Sequence, residues 1–110
     1  MAGMLGSTIA RGNILYDSMI QATLAPVSVA GSTAAEQSFT IPGVQVNDFL
    51  DINCNVQQTA GIGIGNVRVT AANTIAIEFS NSTAGALTPV TGTYNINVTR
   101  AEGQMPSNAA

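Results

Sequence analysis

With neither histidine nor lysine in its 110 residues, this chain leaves acid–base and nucleophilic chemistry mainly to six carboxylates and one thiol. Two carboxylates can cleave a glycosidic bond when they flank it in a site that holds their pKa values apart. Asp51 and Glu78, however, fall on the polar side of alternating segments rather than in a dry pocket. There is no tryptophan, and aromatic residues make up only 5%, too few to line a sugar-stacking cleft. The nearest approach to a calcium loop is Asn47-Asp48 with Asp51 and Asn53, short of the clustered oxygens such a loop needs. Cys54 sits on the apolar side of its segment, without a histidine to activate it, and reads as a small buried hydrophobe. A lone cysteine forms no internal disulfide, and without histidine no ordinary zinc site can be assembled.

Three further patterns also have structural readings. Gly61-Ile62-Gly63-Ile64-Gly65 lacks the spacing, the lysine and the following helix of a phosphate cradle, and reads as a loop. Arg68 and Glu78 are placed to pair across a hairpin. Asn81-Ser82-Thr83 and Asn97-Val98-Thr99 match glycosylation sequons, which carry meaning only behind an export signal. The first twenty residues show no such signal, and no apolar run approaches the length of a membrane span. The expectation is therefore a non-enzymatic protein made in the cytoplasm, with no cofactor, no metal and no membrane partner.

The elements that carry these residues are strands. Val67 and Val69 alternate with polar neighbours, as do Ile75, Ile77 and Phe79, and then Tyr94, Ile96 and Val98. Period-2 alternation places one set of side chains on a buried sheet face and the other in water. Ala71-Ala72-Asn73 joins the first two runs as a hairpin, while residues 81–92 form a crossing long enough to link two sheets. Upstream, residues 36–41 alternate with Phe39 and Ile41 inward and close on Pro42-Gly43. A strand over residues 49–56 follows the Asn47-Asp48 turn, with Leu50, Ile52, Cys54 and Val56 inward and Phe49 on the polar side. Residues 21–30 are extended, with a bend or bulge at Pro26 that suits an edge strand. Residues 14–20 fit either a helical turn or a short strand. Six or seven short strands without a long helix predict an all-β fold, an antiparallel β-sandwich or jelly-roll-like barrel. The corresponding division is an N-terminal arm and lead-in over 1–20, a β domain over 21–100 and a tail over 101–110.

The surface chemistry is unusual. Only 8% of residues are charged, against a typical ~25%, and polarity comes largely from Thr, Ser, Asn and Gln. Such a surface has little charge to oppose association. A net charge of −3 with three scattered arginines, Arg11, Arg68 and Arg100, excludes a basic stripe for nucleic acid. Residues 1–13 are either a frayed terminus or an arm that orders on a neighbouring subunit. In the second case Met4, Leu5, Ile9 and Arg11 are its contact residues, with Phe49 an exposed contact on the β domain.

One resemblance adds a function class. The segments AEQSFTIPGVQVNDFLDIN and GNVRVTAANTIAIEFSNSTAGALTPVTGTYNINVTR together resemble small virion proteins of tailed bacteriophages. The residues that carry it are Phe39, Pro42, Gly43, Arg68, Ala71–Thr74, Phe79, Asn81, Thr83, Pro89, Gly92, Tyr94 and Val98. These are turn and core positions between residues 34 and 100, so they speak to fold more firmly than to function. The resemblance implies a capsid decoration or cement protein on the virion surface, bound to the major capsid protein as a homo-oligomer, with a trimer favoured. The alternative is a tail or head-fibre module that binds a host glycan or protein through loops 57–65 and 81–92.

Overall fold

The computed structural model describes residues 13–103 and holds six strands: β1 (Ile14–Leu24), β2 (Thr33–Thr40), β3 (Phe49–Cys54), β4 (Ile62–Ala71), β5 (Thr74–Asn81) and β6 (Gly92–Ala101). They form two three-stranded antiparallel sheets, ordered β1-β6-β3 and β2-β5-β4. The apolar faces of both sheets contribute to one core. Leu24, Leu50, Tyr94, Ile96 and Val98 come from the first sheet, and Ile62, Val69, Ile75, Ile77 and Phe79 from the second. Val29, Ile41 and Val44 join that core from the connections. Each fully buried side chain of this size stabilises the fold by about 1.5–3 kcal/mol relative to exposure.

The central strands follow the alternation closely. Ile75, Ile77 and Phe79 are fully buried, as are Tyr94 and Ile96. Crossing residues 82–91 carry the chain from β5 in one sheet to β6 in the other, and Val29 pairs with Leu87 along the way. The β4–β5 hairpin turns at Ala72-Asn73, where Asn73 takes a left-handed backbone (φ 63°) that asparagine tolerates. That turn docks on the β2–β3 connection: Ile41 N–H donates to the Asn73 carbonyl, and Asn73 N–H donates to the Val44 carbonyl.

Several expectations change. Residues 14–20 are strand, and β1 runs through the division drawn at residues 20 and 21. Pro26 is buried beyond the end of β1, whose one register shift lies between Ile14 and Tyr16. Val27 is exposed because the chain has left the sheet there, whereas Val29 is buried. Gln37 holds this connection instead, its side-chain amide donating to the Val27 carbonyl and accepting from the Val27 N–H, each at 2.8 Å. Val56 lies outside β3 and is exposed. The glycine-rich loop is shorter than expected: Ile62 to Gly65 belong to β4, with register shifts that absorb the extra residues. The expected Arg68–Glu78 pair does not form. Arg68 reaches two strands across to Glu36, with both links at 2.8 Å. Register puts Arg68 beside Ala76 on β5, so the guanidinium passes over a small residue, and Glu78 accepts from Asn66 N–H instead.

Candidate functional site

Three features of the first sheet stand out, and β1 contributes to all of them. The outward face of the sheet is read from register. Across β1-β6-β3 the rows run Asp17–Thr99–Phe49, Met19–Asn97–Asp51 and Gln21–Asn95–Asn53. Gln21 donates to Asn95, and Asn95 donates to Asn53 and Asn55, so one row is a ladder of side-chain amides. Thr99 donates to Asp17 in the neighbouring row. Between them the Asn97 side-chain oxygen is buried without a hydrogen-bond partner among the described residues. Met19 (70% exposed) and Phe49 (64% exposed) project from this otherwise amide-rich face. The face offers hydrogen bonds and apolar contact, with Asp17 and Asp51 as its charges.

The second feature is an ion pair at the end of the sheets. Arg100 donates through Nε and Nη2 to the two oxygens of Asp48, at 2.9 and 2.8 Å, and Nη2 also reaches the Gly43 carbonyl. Asp48 additionally accepts from Gln45 N–H. The Asp48 side chain is 2% exposed and that of Arg100 18%. Hydrogen bonding by Arg100 holds the Asp48 carboxyl below its ordinary pKa, against an opposing push from burial. Tyr16 stacks on the guanidinium, with 4.7 Å between the Arg100 carbon and the ring centre. Asp48 was read from the sequence as a turn residue or weak calcium ligand. It is instead an anchor whose partner, 52 positions away, carries no local signal in the residues around it.

Beside this pair lies the third feature, an open groove of about 490 Å³ along the edge of β1 that has no strand neighbour among the described residues. Its walls are Tyr16, Ser18 and Ile20 on one side and Pro42, Gly43 and Val44 on the other, with Val98 among the lining residues. The inward side chains Ser18 and Ile20 of β1 are only half-covered here, because among the described residues no strand lies beyond that edge.

The loops expected to carry recognition are tied down. Asn81 is buried; its amide donates to the Val29 and Gly85 carbonyls, and its oxygen accepts from the N–H and hydroxyl of Thr83. The first sequon is therefore a loop anchor. Gln58 donates to the Tyr94 hydroxyl, which donates in turn to the Val90 carbonyl, while Gln58 Oε1 accepts from Val90 and Thr59 N–H groups. Burial pushes the Tyr94 phenol above its ordinary pKa. Cys54 is partly buried beside the Thr93 carbonyl. Among the described residues no group of three or more His, Cys, Asp or Glu side chains could hold a metal ion. Of the expected contact residues, Phe49 is exposed as read, whereas Met4, Leu5, Ile9 and Arg11 lie outside the described residues.

No protein-family model matches the chain, and neither a curated protein nor a solved structure is similar to it at a significant level.

Proposed function

We propose that this chain is a non-enzymatic virion structural protein of the phage decoration or cement type, which binds the outer surface of a major capsid protein lattice and stabilises the head. In this reading the two sheets make a β-sandwich that serves as a rigid platform, and the contact face is the outward side of β1-β6-β3. The observation that carries the reading is the pairing of exposed Met19 and Phe49 with a ladder of neutral amides on that face. Exposed apolar side chains ringed by hydrogen-bonding groups mark an interaction surface. The resemblance of residues 34–100 to small phage virion proteins supplies the partner. A homotrimer over junctions between capsid subunits is the favoured assembly.

The test is co-sedimentation of the purified protein with undecorated capsids. Wild-type protein should bind with weak salt dependence, since few charges are present to be screened. Met19→Asp/Phe49→Asp should bind at least tenfold more weakly while keeping the wild-type circular dichroism spectrum; unchanged binding removes this face from the proposal. Light scattering on a sizing column gives the oligomer directly. A second reading, a fibre module for a host glycan, is favoured by the same amide ladder lying on one face with Phe49, and glycan-array binding by the isolated protein would select it.

A further inference from the structure

β3 ends the first sheet, with β6 on one side of it and no strand on the other among the described residues. Its hydrogen-bonding phase is fixed by Asn55, whose N–H donates to the Thr93 carbonyl in the same register. Backbone groups alternate sides along an antiparallel pair. Phe49, Asp51 and Asn53 therefore bond to β6, while the N–H and C=O groups of Leu50, Ile52 and Cys54 point away from it. Those outward groups have no hydrogen-bond partner among the described residues. β1 and β4 carry register shifts, whereas β3 has none, and it contains neither proline nor a basic residue. An unbulged edge of this kind is a template for another strand. An open groove of about 450 Å³ lies between β3 and β4, so the second sheet does not cover that edge.

We propose that the edge of β3 pairs with β3 of a second copy of this chain, antiparallel, about a two-fold axis at Ile52. Two registers bring the outward-pointing groups together over most of the strand. Centring on Asp51 sets that carboxylate directly opposite its own counterpart, a like-charge contact that costs stability. Centring on Ile52 instead sets Asp51 opposite Asn53 of the second copy, and the symmetry makes this contact twice. The Asn53 side chain accepts from Asn95 through Oδ1, which leaves its Nδ2 hydrogens to donate to that carboxylate. Asp51 makes no hydrogen bond among the described residues, so the contact supplies one. The outward row Gln21–Asn95–Asn53 of one copy thus runs on into Asp51–Asn97–Met19 of the other. On the inner side, half-buried Ile52 meets its counterpart, and Leu50 faces Cys54 of the second copy. The second copy is the partner because the edge complements itself in charge, hydrogen bonding and apolar contact. This two-fold contact is separate from the three-fold assembly of the virion reading and does not depend on that role.

Thiol cross-linking of the full chain tests both the partner and the register. In a Cys54→Ala background, Asp51→Cys chains mixed with Asn53→Cys chains should form disulfide-linked pairs on mild oxidation, several-fold more than either variant alone. In the Ile52-centred register these two positions form a non-hydrogen-bonded pair, close enough for a disulfide. Asp51→Cys chains linking chiefly to one another would overturn the register. No linking above that of Ala34→Cys chains, whose thiol lies on the second sheet, would overturn the contact. Sedimentation of chains that keep Cys54 gives a second readout. Asn53→Asp should weaken association roughly tenfold, because carboxylates then face each other at both symmetric positions. Asp51→Asn/Asn53→Asp exchanges the two groups and should restore it. A wild-type chain that stays monomeric up to its solubility limit, or an association that Asn53→Asp leaves unchanged, would likewise overturn the proposal.

Discussion

β5 and β1 are both apolar strands of the same domain, and they meet opposite fates. In β5, Ile75, Ala76, Ile77 and Phe79 are all buried, because the strand has a neighbour on each side and a second sheet beneath it. In β1, Ile14, Leu15, Tyr16 and Met19 are all exposed, although the run is just as apolar. The difference is position in the sheet. A central strand satisfies its backbone and its inward side chains within the fold, whereas an edge strand leaves one row of backbone groups and part of its apolar surface for something else. β5 therefore carries stability, whereas β1 leaves much of its apolar surface in water.

That contrast can be tested by substitution. Phe79→Ala should have the largest effect, since it opens a cavity where two sheets meet. A loss of about 3–5 kcal/mol in urea unfolding is expected, whereas Met19→Ala on β1 should stay within about 0.5 kcal/mol. Equal losses at the two sites would erase the distinction between the strands. Next in size is Tyr94→Phe, which deprives both the Val90 carbonyl and the Gln58 amide of a partner and should cost about 1–2 kcal/mol.

The Asp48–Arg100 pair sharpens the comparison through pH. Its folded carboxyl lies below the ordinary carboxylate value of about 3.9. A depressed pKa contributes stability that is fully present above the unfolded value and is lost as pH falls through the folded one. The urea midpoint of the wild type should therefore drop on acidification below about pH 4, and Asp48→Asn should flatten part of that fall. An identical pH slope in the variant would dismiss the pair as the source. The smallest effect belongs to Arg68→Gln. This solvent-exposed pair with Glu36 should leave the melting temperature unchanged within error, as exposed ion pairs generally do.

Much of the fold was legible in the residues. Alternation located β5, β6 and the start of β3, and Asn47, Asn73 and Pro42-Gly43 marked turns, because period-2 burial and left-handed backbone preferences are local properties. Local rules also placed Phe49 on the outward face. They could not decide residues 14–20, since a short apolar run fits a helical turn or a strand until a partner such as β6 fixes its backbone. Nor could they place charges: Glu36, Glu78 and Asp48 all offered carboxylates, and only the packing of β4 past Ala76 selected Glu36 for Arg68.

Sequence alone thus determined the all-β class, the core residues of the central strands and the neutrality of the surface, each a consequence of composition and periodicity along one segment. Tertiary structure decided which strands became edges, which buried carboxylate met Arg100, and that Asn81 became an anchor rather than an exposed loop residue. Those outcomes depend on residues from different strands, distant in the sequence, arriving side by side, and no spacing within a single strand encodes that meeting.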